Sequence, residues 1–161
     1  MIQYLLHISL ILQIILSSAE DVNSVMLQRT VCYGECPSYS VQVFSDGTII
    51  YQGDRFVKVE GKRVYSIPVD SVKPLFRFIV KIKFFSLKNE YKIKTDIRTR
   101  PDGTKDTLFQ MVSDMPSKFI TVQSRNLTKT IEDYYAGPQE LAELEQMIDR
   151  VAQTSRWVDT R

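Results

Sequence analysis

The run from Tyr39 to Tyr51 restricts the fold more than any other part of the chain. Tyr39, Val41 and Val43 alternate with Ser40, Gln42 and Phe44, Asp46-Gly47 follows, and Thr48-Ile49-Ile50-Tyr51 resumes the apolar character. Strict alternation is the pattern of a half-buried strand, and Asp-Gly between two such runs is the strongest short signal of a hairpin. So short a connection can join only antiparallel neighbours. Upstream, Val25, Leu27 and Val31 recur at period two. Downstream, Phe56 to Val59 and Arg63 to Ile67 flank Glu60-Gly61-Lys62 and read as a second hairpin.

The period then changes. Val72, Leu75, Phe76, Ile79 and Val80 fall at three-and-four spacing, with Lys73, Arg77 and Lys81 elsewhere on the turn, which predicts an amphipathic helix. Pro74 is tolerated only in a first turn, so the helix is placed to begin near Asp70 or Ser71. Phe84, Phe85 and Leu87 follow as a core plug. Lys88 to Lys105 reads as a charged loop or a weak edge hairpin turning at Pro101-Asp102-Gly103. Strand character returns at Thr107 to Val112, Lys118 to Gln123 and Thr128 to Tyr134. Gly137-Pro138 then opens a second helix with Leu141, Leu144, Ile148 and Val151 on one stripe. Strand runs interrupted by single helices, without βαβ alternation, predict an α+β domain: an antiparallel sheet of about six to eight strands with two amphipathic helices on one face.

Residues 5–16 are apolar apart from His7, Ser9 and Gln13, and Ser17-Ser18-Ala19 with acidic Glu20-Asp21 follows. This is the pattern of a secretory leader cleaved after Ala19, so the expected organisation is a signal peptide at 1–19 and one α+β domain at 20–161. The expected location is secreted or periplasmic; an uncleaved leader anchoring the chain to a membrane is the alternative. His7 is the sole histidine, so the mature chain would contain none. That removes imidazole-dependent nucleophilic catalysis and the common zinc ligands, and no cofactor is expected. Residues 1–19 carry no Lys, Arg, Asp or Glu, so the formal charge of +2 survives cleavage. A balance so mild implies no nucleic-acid partner.

The only two cysteines, Cys32 and Cys36, stand four apart in Cys32-Tyr33-Gly34-Glu35-Cys36-Pro37. In an exported small domain the expectation is a structural disulfide. Gly34 would supply backbone freedom and Pro37 would fix the exit direction of the next strand. A redox couple and free buried thiols are the alternatives. The spacing is not Cys-x-x-Cys, and no basic residue flanks it to stabilise a thiolate.

Cys32-x-Gly34-x-Cys36-Pro37-x-Tyr39, followed by Asp46-Gly47-Thr48, Phe84-Phe85-Ser86-Leu87, Glu90-Tyr91, Asp114-Met115-Pro116, Gly137-Pro138 and Arg156-Trp157, resembles the domain of unknown function 6438 family. The resemblance spans residues 25–158. It implies a bacterial protein with an export or lipoprotein leader and no established activity. The chain is longer and more charged than the family pattern between Tyr91 and Asp114.

Three further features bear on function. Lys73, Arg77 and Lys81 begin a cationic stretch that reads as a solvated helix face and loop, with docking to an anionic surface polymer of the envelope, a lipid surface or an acidic envelope protein as the functional alternative. Asn126-Leu127-Thr128 is a glycosylation sequon in a eukaryotic secretory pathway and otherwise a turn between strands. Trp157 reads as an apolar cap over the sheet or helix ends, with a binding anchor as the alternative. No spacing singles out a catalytic group. The residues therefore favour a non-enzymatic binding or envelope-associated module, with a thiol redox protein using Cys32 and Cys36 as the alternative.

Overall fold

A computed structural model describes residues 22–110 and 112–159, so the leader expected at 1–19 lies outside the described residues. The described residues form nine strands: β1 (Val22–Arg29), β2 (Ser38–Phe44), β3 (Thr48–Arg55), β4 (Gly61–Ser66), β5 (Glu90–Tyr91), β6 (Lys94–Thr99), β7 (Lys105–Gln110), β8 (Lys118–Ser124) and β9 (Thr128–Asp133). Seven of them form one sheet in the order β4-β3-β2-β1-β8-β9-β5, while β6 and β7 form a separate two-stranded sheet. The expected α+β class holds, with one correction. β5 pairs parallel to β9, so the main sheet is mixed rather than antiparallel throughout.

The Asp46-Gly47 hairpin forms as its sequence requires. Gly47 adopts φ +87°, and a side chain there would collide with the backbone of Ile67, so the turn needs glycine twice over. The second hairpin differs from expectation. β3 runs on to Arg55, and Phe56, at φ +55°, ends it, so Phe56 to Val59 turns rather than pairs. Lys88 to Lys105 resolves into the hairpin alternative, with β6 and β7 joined through Pro101-Asp102-Gly103.

Helix α1 (Val69–Lys81) begins just after Pro68, earlier than expected, so Pro74 is its sixth residue and lies inside the helix rather than in the first turn; helix α2 (Gln139–Val151) begins just after Pro138. Val72, Leu75, Phe76 and Ile79 of α1 and Leu141, Leu144 and Ile148 of α2 are buried against Val25, Leu27, Val41, Val43, Ile49, Ile120, Val122 and Ile131 of the sheet. The chain thus crosses the sheet from β4 to β5 through α1. It returns through α2 to Trp157, which stacks on Tyr51 of β3 and tilts against Tyr65 of β4. The opposite face of the sheet is mixed, with Val64, Ile50, Gln42, Met26, Thr121 and Thr130 aligned across β4, β3, β2, β1, β8 and β9. No helix among the described residues is long and apolar enough to cross a membrane.

Candidate functional site

Cys32 and Cys36 are joined by a disulfide, with their Cα atoms 5.5 Å apart. The loop they close springs from the end of β1 and leads into β2. Within it the Gly34 N–H donates to Cys32 Sγ at 3.3 Å. Its first residue is tied to a second loop: the Thr30 N–H donates to the Ser117 carbonyl at 3.0 Å, and the Ser117 N–H donates back to Thr30 Oγ1 at 2.9 Å. That second loop contains Asp114-Met115-Pro116. Asp114 sits at φ +70°, and the Met115 N–H donates to the Tyr134 hydroxyl at 3.0 Å. The result is a pair of linked loops presenting exposed apolar side chains: Tyr33 is 90% exposed, Val31 43% and Met115 41%.

Beneath these loops lies a buried ion network. Arg29, the last residue of β1, faces the helix layer. Its Nη2 donates to Asp149 Oδ2 at 2.8 Å, its Nη1 to Glu145 Oε2 at 3.5 Å and its Nε to the Tyr39 hydroxyl at 3.0 Å. Tyr39 passes the link on, donating to Asp149 Oδ1 at 2.8 Å, and Thr154 Oγ1 donates to the same oxygen at 2.9 Å. Lys118 opens β8 and bridges two acids, Asp133 Oδ2 at 3.2 Å and Glu145 Oε1 at 3.3 Å. Asp133 Oδ1 accepts the Gly137 N–H at 3.1 Å. A Cβ at residue 137 would stand 2.5 Å from that oxygen, which is why glycine precedes Pro138.

Three carboxylates, Asp133, Glu145 and Asp149, thus meet two cations, Arg29 and Lys118. Glu145 and Asp133 are each 4% exposed, so a surplus negative charge is poorly tolerated there. Burial pushes Glu145 up to about 7, against the pull of Lys118 and Arg29 and with the help of the nearby Asp133 carboxylate. The geometry agrees. Oε1 of Glu145 is ion-paired to Lys118 but accepts no hydrogen bond, so a proton on Glu145 creates a donor toward Asp133 and balances the cluster. Tyr39 is pushed well above the ordinary phenol range by burial and by Asp149, against Arg29, and stays a hydrogen-bond donor. Arg29 loses some basicity to burial but gains more from Tyr39, Asp149 and Glu145, which keep it firmly charged.

Tyr39 also separates two recesses. A cleft of about 410 Å³ is lined by Tyr39, Gln146, Asp149, Arg150, Gln153 and Thr154 among others. A smaller one of about 250 Å³ on its other side is lined by Gln28, Ser38, Ser40, Gln52 and Asp54 with Arg29. Among the described residues no group of three metal-ligating side chains is arranged to hold an ion.

The structure therefore gathers most of the residues singled out in the sequence. Cys32, Gly34, Cys36, Pro37 and Tyr39 join Asp114 and Pro116, and Gly137 lies below, held by Asp133. Trp157 is connected less directly, through a ladder in which Tyr39 lies 5.9 Å from Tyr51 and Tyr51 5.9 Å from Trp157. Lys73, Arg77 and Lys81 stand apart on the exposed side of α1. Lys73 is held by Asp70 at 2.7 Å, Lys81 lies 5.7 Å from the Phe78 ring centre, and Arg77 projects to solvent. Asn126 is exposed in the β8–β9 turn. Glu132 and Asp133, adjacent on β9, face opposite ways: Asp133 joins the buried network, while Glu132 accepts from Ser117 Oγ at 2.9 Å and pairs with Lys92 at 2.9 Å. Arg29, Lys118, Glu145 and Asp149 were not anticipated as a group. The available signal was Glu145 itself, which occupies the apolar stripe of α2 next to Leu144.

No curated protein matches the chain. The sequence model described as a domain of unknown function, DUF6438, matches residues 23–152 and so takes in both loops and the whole ion network beneath them. The chain belongs to the DUF6438 family.

Proposed function

We propose that this chain is an exported, non-enzymatic binding module that docks an envelope protein on the disulfide-closed loop. The observation that carries the reading is Tyr33, 90% exposed at the tip of a covalently closed loop and accompanied by Val31 and Met115. A rigid aromatic side chain loses little conformational freedom on binding, and tyrosine is enriched at the centres of interfaces. The ion network supports the same reading, because its carboxylates are committed to Arg29, Lys118, Tyr39, Thr154 and Gly137 in holding the platform. The partner surface is apolar rather than polyanionic, since between the two cysteines the loop carries Glu35 and no cation. That composition also counts against the redox alternative, in which a basic neighbour would stabilise the attacking thiolate.

Photo-crosslinking in native envelope material tests the proposal. A photoreactive residue replacing Tyr33 is expected to yield one dominant protein adduct, which weakens when Val31 and Met115 are both changed to Ser. The same probe replacing Gln123, on the opposite sheet face, is expected to yield none. Equal labelling from both positions would overturn the reading.

A further inference from the structure

β6 and β7 pair only with each other among the described residues, so the outer edge of each presents backbone N–H and C=O groups without strand partners. Eleven of their twelve residues are exposed, which leaves those edges accessible. A two-stranded ribbon is marginal by itself, and an open edge is a template for another strand. The internal register places Lys94, Asp96 and Arg98 on one face. Thr95, Ile97 and Thr99 share the other with Phe109, Thr107 and Lys105, where Ile97 is 65% exposed and Phe109 71%; Gln110, Leu108 and Asp106 lie opposite the charged residues on the first.

We propose that two copies of this chain associate about a two-fold axis through Ile97, β6 against β6, to form a four-stranded antiparallel sheet. A two-fold demands a strand whose residues complement their own reversal, and β6 meets that demand. With Ile97 opposite its symmetry mate, Asp96 of each copy faces Arg98 of the other, and Thr95 faces Thr99. Both ion pairs lie on the polar face, and the two isoleucines meet on the apolar one. Directly opposed residues in an antiparallel pair share a face, so the other two-fold registers are few. Centring on Asp96 opposes two carboxylates and centring on Arg98 opposes two guanidinium groups. Centring on Thr95 keeps only three strand residues paired. An axis through β7 at Leu108 sets Asp106 against Gln110 and forms no ion pair. In the favoured register Lys94 faces Arg100 at each end, but Arg100 is already neutralised by Asp106 at 2.6 Å.

The contact is a short strand edge, far below the roughly 1,200 Å² of a stable interface, so the association is weak and reversible. Sedimentation velocity of the disulfide-bonded protein from about 10 µM to about 1 mM, at low salt, is expected to show a rising dimer fraction, in the range where small interfaces dissociate. Asp96→Arg replaces two attractive cross-strand pairs by two repulsive ones, and is expected to weaken dimerisation about tenfold or more. The exchange Asp96→Arg with Arg98→Asp restores complementarity in this register alone and is expected to recover the dimer. Asp106, opposite residue 98 within the hairpin, keeps its pairing with Arg100 in that variant. Recovery would also show that the hairpin still folds. A wild-type chain monomeric throughout, a dimer indifferent to Asp96→Arg, or a double exchange that stays monomeric would each overturn the proposal.

Discussion

Glu145 offers the sharpest quantitative prediction. A buried glutamate held at about 7, against an ordinary value of 4.5, binds its proton more tightly in the folded chain than in the unfolded one. The sign follows directly. The native preference for the protonated form is fully present below pH 4.5, declines as pH rises from there to 7, and is absent above that range. At 1.36 kcal/mol per pH unit, the folded state loses about 3 kcal/mol relative to an isosteric neutral side chain across this window. Glu145→Gln provides that side chain, and its amide can donate to Asp133 as the protonated carboxyl would. The stability difference between variant and wild type is therefore expected to shift in favour of glutamine by about 2–3 kcal/mol between pH 5 and pH 8. Urea unfolding at both pH values, with the disulfide intact and equal m-values, measures the difference, from which other titrating groups largely cancel. A pH-independent difference, or one that turns against glutamine as pH rises, would refute the placement of the retained proton on Glu145.

Three further outcomes are expected. Leu27→Ala, in the fully buried centre of β1, should cost about 2–5 kcal/mol in urea unfolding, and a cost below 1 would contradict the packing described. Replacing Cys32 and Cys36 together by serine should lower stability by about 2 kcal/mol, the loop-closure value for so short a ring; an unchanged denaturation midpoint would show that the crosslink does not restrain the unfolded chain. Gly137→Ala forces a methyl group against Asp133, so a loss of about 1–3 kcal/mol is expected, chiefly through the displaced carboxylate and its hydrogen bond. An alanine variant as stable as wild type would place Asp133 differently.

Much of the sheet was legible because local chemistry and the global fold agree at Asp46-Gly47 and along β2, β3, β8 and β9. The misreadings arose where distant contacts decide. Phe56 to Val59 has strand-like residues, but the left-handed backbone at Phe56 and a hydrogen bond from the Val59 N–H to the Trp157 carbonyl make it a turn. The parallel β5 is two residues long, too short for any periodicity to reveal, and its neighbour is fixed by tertiary packing. In the candidate site, the cysteine loop could be anticipated from spacing and an expected oxidising compartment. The ion network could not, because Arg29, Lys118, Asp133, Glu145 and Asp149 lie on four separate elements. Only an acid in the apolar stripe of α2 betrays it.

The cysteine loop and the Asp114–Pro116 loop are tied through Thr30 and Ser117 into one platform. The most direct measurement is amide hydrogen exchange at Ser117 before and after selective reduction of Cys32–Cys36. The Ser117 N–H donates to Thr30 Oγ1, so reduction is expected to accelerate its exchange while leaving Val122, in the middle of β8, unchanged. Identical protection of Ser117 in both states would contradict the claim.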